Sequence, residues 1–237
     1  MTGLGQRAMI MAAGLGQRMR PLTNGKPKPL VEVAGTPLID YGLSRLTEAG
    51  CDFAVVNVHY LADQIEAWAK AKSSPRIVVS DERRELLDTG GGIVKALPLL
   101  GEAPFFVVNS DSIWIDQEKP ALARLKEGWD ETRMDCLLLL CHPARTIGYD
   151  GHGDFNLEGD GRITGRSAKG AAGLAYIGAY LVHPRLFADI SVSKFSVNLL
   201  WDKAIAQGRL FGIEHQGLWL HVGTPEAIPL AECALRA

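Results

Sequence analysis

The sequence predicts an α/β fold with a mixed, mostly parallel sheet that carries helices on both faces. Short apolar runs recur between stretches with helical spacing, which is typical of alternating strands and helices. Several runs are continuously apolar, as in central strands covered on both sides. With 237 residues, 47% of them hydrophobic, the chain is long enough to bury a large core. No linker, repeat or low-complexity tract interrupts it, so we expect a single domain over 1–237.

The elements of the first half alternate regularly. Strands need short apolar or β-branched runs, whereas helices need apolar residues three and four positions apart. On these criteria we predict three strands, at 7–11, 53–58 and 77–79, and two helices, at 37–49 and 61–72.

The second half continues with apolar runs of the same kind. The predicted strands lie at 105–108, 136–141 and 175–182. A short helix is expected over 93–100, a second over 197–205 and a last one within 225–237. Residues 211–215 and 218–222 have the pattern of a final hairpin.

The charge balance and the cysteines exclude several classes of protein. A formal net charge of −2 gives no global field for nucleic acid or an anionic membrane, so we expect neither as a partner. The 4 cysteines form no Cys-x-x-Cys pair, and we expect reduced core residues. Since the first residues lack the apolar run of a signal peptide, a cytoplasmic protein is predicted.

A glycine-rich turn follows the first predicted strand. Gly14 and Gly16 allow a tight bend and bring backbone N–H groups close to an anion. Four cations follow within a short stretch stiffened by prolines, namely Arg18, Arg20, Lys26 and Lys28. Together these features predict a polyphosphate site.

Neither standard phosphate motif fits this turn. The dinucleotide fingerprint needs a third glycine near Met19, and no Gly-Lys-Ser/Thr follows. A dehydrogenase is disfavoured because Arg20 and Pro21 stand where the helix and its cofactor contacts should continue.

The run A-A-G-x-G-x-R-M-R-P-L-T…P-K-P-L resembles the signature of the sugar-1-phosphate nucleotidyltransferases, and the resemblance continues through 31–39. It implies a Rossmann-like fold of the GT-A type, with a nucleoside triphosphate and a sugar 1-phosphate as partners. It implies that Ala12, Ala13, Gly14 and Gly16 bind the nucleotide. Arg18 would hold the β- and γ-phosphates, and Lys28 would lie between the α-phosphate and the sugar phosphate.

The run Asp88-Thr89-Gly90-Gly91-Gly92 is a second glycine cluster. By itself it is either a flexible loop with a helix cap or a place where a flat ligand approaches the backbone. Its T-G-G-G-I sequence is similar to the base-contacting loop of the uridylyl-transferring branch of the family, which implies nucleotide contacts at Thr89 and Gly90.

The predicted strand 105–108 leads directly into Asn109, Ser110 and Asp111. Ligands of open α/β sheets bind beyond the carboxyl ends of strands, so these residues lie where chemistry is expected. The N-S-D sequence resembles the family element whose aspartate holds the catalytic Mg²⁺. We therefore expect Asp111 to bind metal and Asn109 to contact substrate.

Residues 143–173 are rich in glycine and charged residues, with a possible short hairpin at 155–157 and 162–164. The resemblance makes this region a small β insert over the sugar site. Gly153 and Asp154 begin a G-D-F element similar to that of the enzyme branch acting on N-acetylmuramic acid 1-phosphate. Gly178, within a later strand, either relieves packing or touches the sugar, and the resemblance favours the sugar.

One position departs from the family pattern. The family's second metal ligand is an aspartate in W-x-D-x-G-T, whereas this chain has His221 there. Imidazole is a poor ligand for Mg²⁺ but suits Mn²⁺ or Zn²⁺. Three alternatives follow: Asp111 and phosphates hold Mg²⁺ without His221, which we favour; the enzyme uses a softer ion such as Mn²⁺; or turnover has been lost.

The resemblance predicts uridylyl transfer from UTP to N-acetylmuramic acid 1-phosphate in cell-wall recycling. The alternative within the family is guanylyl transfer to mannose 1-phosphate. An alternative of another class, motivated by His221, is a non-catalytic nucleotide-sugar binding protein. The sequence leaves the oligomeric state open.

Overall fold

A computed structural model describes residues 3–168, 171 and 173–236. The strands are β1 (Arg7–Met11), β2 (Glu32–Val33), β3 (Thr36–Pro37), β4 (Phe53–Val58), β5 (Arg76–Asp81), β6 (Phe105–Asn109), β7 (Ser112–Ile115), β8 (Cys136–Cys141), β9 (Thr146–Ile147), β10 (Phe155–Leu157), β11 (Ile163–Arg166), β12 (Ala175–Val182), β13 (Leu210–His215) and β14 (Leu218–His221). The α-helices are α1 (Leu38–Glu48), α2 (Ala62–Lys70), α3 (Asp88–Leu100), α4 (Ala121–Gly128), α5 (Asn198–Ala206) and α6 (Ala227–Arg236).

The central sheet has seven strands in the order β13-β8-β12-β6-β1-β4-β5. Its strands run parallel except β12, which is antiparallel to both β6 and β8. The predicted mixed, mostly parallel sheet is confirmed. Since β1 and β6 are adjacent and parallel, the loops that follow Met11 and Asn109 leave the sheet at the same edge.

Helices cover both faces of this sheet, as predicted. Apolar residues of α1, α2 and α4 form one core with alternate side chains of β1 and β4, including Ala8, Ile10 and Val56. The opposite core contains residues of α3 and α5 together with Met9 and Val55. The period-2 alternation along β1 therefore places its neighbouring side chains in different cores.

A smaller sheet lies beside the main one. It contains β7, β14 and β9 in that order, and β14 runs antiparallel to β7 and parallel to β9. Under it, a third core joins Met19, Val33, Ile113 and Leu220 with α6. This small sheet links the glycine-rich turn to the carboxyl-terminal helix.

The predicted hairpin of 211–215 with 218–222 is wrong. Both segments are strands, but β13 pairs in parallel with β8 at the edge of the main sheet, whereas β14 pairs with β7 in the small sheet. Both runs were correctly predicted as strands. Their partners, β8 and β7, lie far away in the sequence and could not be assigned from local pattern.

The second glycine cluster also differs from the prediction. Gly90, Gly91 and Gly92 lie in the first two turns of α3 rather than in a flexible loop, and no side chain caps this helix. Strand β7 and helix α4 were not predicted. The expected hairpin in the insert is confirmed as the antiparallel pair β10 and β11.

Three of the cysteines, Cys51, Cys136 and Cys141, are buried and free, as predicted. Cys233 is exposed, so its assignment to the core was wrong. Throughout residues 3–168, 171 and 173–236, every helix is too short or too polar to cross a bilayer.

Candidate active site

A cleft opens at the carboxyl ends of β1 and β6. Its main lobe has a volume of about 560 Å³, and a side lobe of about 250 Å³ adjoins it. The lobes share Met11, Asp88, Thr89 and Asn109. Among the residues predicted to form the site, the main lobe is lined by Ala13, Gly14, Gly16, Arg18, Lys28, Thr89, Asn109 and Asp111. Segments that lie far apart in the sequence thus meet in one cleft.

The glycine-rich turn forms one wall of the main lobe. Gly16 has a φ of 62°, in the left-handed region, and a Cβ there would lie 3.0 Å from Lys28 Cβ. The Thr23 hydroxyl donates to the Gly16 carbonyl at 2.8 Å, which holds the turn closed. Gly14 instead faces open space, with no atom within 4 Å of a Cβ built on it. The backbone at Gly14 is therefore accessible to a ligand.

Lys28 and Asp111 form an ion pair inside the cleft. Lys28 Nζ donates to Asp111 Oδ2 at 2.6 Å, and the two side chains are 12% and 31% exposed. Burial by itself would raise the pKa of the Asp111 carboxyl, but the Lys28 charge and hydrogen bond bring the pKa below its ordinary value. The carboxyl is therefore ionised near neutral pH, and the pair is aligned before a ligand arrives.

His221 lies beside this pair, since its partner in the β14–β7 register is Ser112. Burial lowers the pKa of its imidazole, and the positive charges of Lys28 and Arg18 lower that pKa further. The Asp111 carboxylate raises the pKa, but the net shift is downward. The imidazole is therefore neutral near pH 7. Its ring packs on Trp219 and Tyr149, with centroids 5.1 Å and 6.1 Å away.

The donors around Asp111 fit a divalent cation that is shared with a substrate. No group of three or more His, Cys, Asp or Glu residues able to hold a metal occurs in the part of the chain that the structure describes. Asp111 supplies a carboxylate and His221 a neutral imidazole. Mg²⁺ is commonly held by one or two carboxylates together with phosphates and water, so this sparse set is compatible with it.

The second glycine cluster accommodates a neighbouring segment, 193–197. The Gly90 and Gly91 N–H groups donate to the Phe195 carbonyl at 2.9 Å and 3.2 Å. A Cβ on Gly90 would overlap the Phe195 ring. Thr89 Oγ1 accepts from the Val197 N–H at 2.9 Å. This docking places Lys194 on the main lobe.

The side lobe lies between the insert and α5. The residues predicted for the sugar side contribute Asp154 and Asn109 to its lining, and Asp154 Oδ2 accepts from the Tyr176 N–H at 2.8 Å. Arg166 also lines it, stacked 4.5 Å from the Phe155 ring centroid. Aromatic residues line much of the remainder of this lobe.

Several predicted site residues do not line either lobe. Gly90 is buried against Phe195, and Gly153 lies against the Gly173 carbonyl. A Cβ on Gly178 would come within 2.9 Å of Ser112 Cβ, so this glycine relieves packing, and its predicted sugar contact has no geometric support.

Four further predicted residues also lie outside the lining, and His221, described above beside Asp111, is one of them. Ala12 lies behind the cleft, where its N–H donates to Asn57 Oδ1 at 2.7 Å. Arg20 and Lys26 are exposed away from both lobes.

Other lining residues were missed by sequence reasoning. Asn57, the one polar residue in the apolar run of β4, was a signal that could have identified it. Lys194 and Leu86 are brought in by loop packing, for which the sequence carries no comparable signal. Tyr176 and Trp201, in the side lobe, read equally well as core residues.

Comparison with known proteins agrees with this geometry. Residues 7–236 match the model of the "Nucleotidyl transferase" family, and the chain belongs to that family, as a sugar-1-phosphate nucleotidyltransferase. It is 48% identical over 232 residues to the N-acetylmuramate alpha-1-phosphate uridylyltransferase of Caulobacter vibrioides, covering 96% of each chain. It is 40% identical to the protein of the same name from Neisseria meningitidis, covering 92% of this chain and 93% of that one.

A solved structure shows the same fold. The crystal structure of UDP-glucose pyrophosphorylase complexed with UDP-glucose superposes with a TM-score of 0.79 over 98% of this chain and 99% of that one. Its sequence is 18% identical, so the likeness concerns the fold. The Rossmann-like architecture predicted from the sequence is thereby confirmed.

Proposed function

We propose that the protein transfers the uridylyl group of UTP to N-acetylmuramic acid α-1-phosphate, releasing pyrophosphate, in cell-wall recycling. The observation that carries the proposal is the 48% identity to a uridylyltransferase of that specificity over 96% of both chains. The cleft supports it, because a phosphate-binding turn, a paired Lys28 and Asp111, and a side lobe of suitable position occur together.

The reaction joins two polyanions, so the protein must chiefly position them and neutralise charge. An oxygen of the sugar phosphate attacks the α-phosphorus of UTP, and the bond from that phosphorus to the bridging oxygen of pyrophosphate breaks. The attacking phosphate is already ionised, so no general base is required. A divalent cation, Mg²⁺ or Mn²⁺, would supply further charge neutralisation on the phosphates when bound at Asp111.

The chain's own residues take distinct roles in this proposal. Arg18, on the main lobe, binds the β- and γ-phosphates and stabilises the leaving pyrophosphate. Lys28 contacts the α-phosphate and the sugar phosphate, where negative charge is concentrated as the new bond forms. Ala13, Gly14 and Thr89 lie where the nucleotide enters. Asp154 and Asn109 face the sugar in the side lobe.

A substrate panel tests the proposal. Pyrophosphate release is measured for UTP, GTP, CTP and dTTP, each paired with the 1-phosphates of N-acetylmuramic acid, N-acetylglucosamine and mannose. The highest kcat/KM is expected for UTP with N-acetylmuramic acid 1-phosphate. Preference for GTP with mannose 1-phosphate would establish the guanylyltransferase alternative and overturn the proposal.

His221 favours one second candidate, a non-catalytic nucleotide-sugar binding protein, because the family's aspartate is missing at this position. Titration calorimetry with UTP and a UDP-sugar, in Mg²⁺ and in Mn²⁺, separates the two. Binding without pyrophosphate release in either ion would support the binding protein. Turnover in Mg²⁺ would eliminate it.

A further inference from the structure

A buried carboxylate stands behind the main lobe and takes no part in the chemistry described above. Glu82 and Asn57 are each 1% exposed. Glu82 Oε1 accepts from Asn57 Nδ2 at 2.8 Å, and Oε2 accepts from the Leu87 N–H at 3.0 Å. Both carboxylate oxygens are therefore bound by amide donors. A carboxylate in such a place is costly to bury and is stable only while these bonds are complete.

These bonds belong to a chain that connects two walls of the cleft. At one end the Ala12 N–H donates to Asn57 Oδ1 at 2.7 Å, which fixes the start of the glycine-rich turn. At the other end Leu87 lies between Leu86 and Asp88, which line the opposite wall. Consequently, three hydrogen bonds through two buried side chains set the separation of these walls.

The third glycine of the second cluster is explained by the same network. A Cβ on Gly92 would lie 2.8 Å from Glu82 Oε1 and 3.0 Å from Asn57 Nδ2. Any side chain at this position would push against both groups. Gly90 and Gly91 accommodate the 193–197 segment, whereas Gly92 leaves space for the Glu82–Asn57 pair.

The donor and acceptor count of the chain makes the carboxylate necessary. The two ends are backbone N–H groups, which can only donate. The Asn57 amide presents its oxygen to one partner and its NH2 group to the other, so its orientation is fixed and Glu82 must accept at both oxygens. With glutamine at 82, its NH2 group would face either the Leu87 N–H or the Asn57 NH2 group, so two donors would oppose each other. Flipping the Asn57 amide would instead bring its NH2 group against the Ala12 N–H.

We propose that Glu82 is a positioning residue for the nucleoside triphosphate, acting through Asn57 and Leu87 to hold the glycine-rich turn and the Leu86–Asp88 wall at the separation the nucleotide needs. The inference rests on the proposed function for the identity of the nucleotide. It predicts a defect in nucleotide binding rather than in the chemical step, because Glu82 lies behind the cleft and does not touch the reacting atoms.

The first test is Glu82→Gln, with Glu85→Gln as the matched control. Glu85 is exposed three residues away, so the control removes the same charge without touching the network. Loss of one buried hydrogen bond is expected to raise the KM for UTP about tenfold, with kcat and the KM for the sugar phosphate within about threefold of the wild type. An equal fall in kcat for all substrates without a KM change would overturn the proposal.

The second test is rescue by Asn57→Asp combined with Glu82→Gln. This exchange keeps the net charge and restores every bond. The carboxylate introduced at position 57 accepts from the Ala12 N–H and from the side-chain amide introduced at position 82, and the oxygen of that amide accepts from the Leu87 N–H. Because Asn57 also lines the main lobe, Asn57→Asp alone is measured as well. The KM for UTP in the double variant is expected to lie well below the product of the two single effects, since the network is restored. A KM equal to that product would show that the two residues act independently and would overturn the proposal.

Amide hydrogen exchange gives a readout that does not depend on turnover. Protection of the Ala12 and Leu87 amides should fall in Glu82→Gln and return in the double variant. Unchanged protection of these amides in the single variant would overturn the proposal even if the wild type shows no activity with UTP. The hydrogen-exchange result thus tests the network independently of the proposed function. If Glu82→Gln does not fold, Gly92→Ala perturbs the same pair, and the same rise in the KM for UTP is expected.

Discussion

Replacing Lys28 by alanine tests the proposed catalytic arrangement most directly. The Lys28 side chain is 12% exposed and its Nζ already lies 2.6 Å from Asp111 Oδ2, so the charge is aligned and largely shielded from water. A unit charge facing another at about 4 Å gains about 4 kcal/mol at an effective dielectric constant of about 20. If this interaction strengthens only as charge develops on the α-phosphate, its loss lowers kcat by about 10³.

The same substitution should affect folding much less. Asp111 is 31% exposed, so water can solvate its carboxylate once the Lys28 amine is removed, and the loss of the pair is expected to cost about 1 kcal/mol. For a chain of this size, that corresponds to a fall in Tm of about 2–4 °C. A large loss of turnover with a small loss of stability therefore identifies a catalytic role rather than a structural one.

The assay measures initial rates of pyrophosphate release over a matrix of UTP and sugar-phosphate concentrations, with thermal melts in parallel. Lys26→Ala is the matched control, because Lys26 is 48% exposed, pairs with Glu32 at 3.5 Å and lies outside the cleft. Its kcat should stay within about twofold of the wild type. A Lys28→Ala variant with unchanged kcat and a raised KM would refute the reasoning and make Lys28 a ground-state binder.

Three further outcomes are expected. Asp111→Asn should lower turnover by about 10² or more while thermal melts change little, because the proposed metal site loses its carboxylate charge; equal activity would refute the assignment. Gly16→Ala should destabilise the protein by about 1–2 kcal/mol in urea titrations, since φ is 62° there, whereas Gly14→Ala should be nearly neutral for folding. Because the pKa of Asp111 is lowered in the folded state, its pairing with Lys28 stabilises the protein above about pH 4 and this contribution is lost as the pH falls through the lowered pKa. The stability difference between wild type and Lys28→Ala should therefore shrink in urea titrations as the pH is lowered below about 4; a constant difference would contradict the assignment.

Sequence reasoning succeeded where local pattern determines structure. The largely apolar runs of β4, β8 and β12 could be identified with their bounds because buried strands have a distinctive composition. The glycine-rich turn could also be identified locally, because Gly16 needs a backbone conformation that few other residues adopt.

Sequence reasoning failed where contacts between distant parts of the chain determine the local structure or the role of a residue. Glycines usually interrupt helices, yet Gly90–Gly92 lie near the start of α3, where segment 193–197 and the Glu82–Asn57 pair fill the space beside them. Gly178 was assigned to the sugar on the resemblance alone, and its close neighbours Ser112 and Asn109 come from another part of the chain, which local pattern does not reveal. Likewise, Lys194 enters the cleft through a docking contact that no motif encodes. The roles assigned to Arg18, Lys28 and Asp111 stay predictions for the experiments above.

The pairing of β14 with β7 has a consequence for how the chain tolerates insertions. Side chains alternate along β14, so His221 and Trp219 point to one side while Leu220 enters the core above α6. A slip of β14 by one residue against β7 would exchange these sides, placing Leu220 beside Asp111 and an imidazole in an apolar core. An insertion or deletion within β14 would force that slip, whereas a longer connection at 216–217 can be absorbed as a loop, because β13 and β14 pair with different strands.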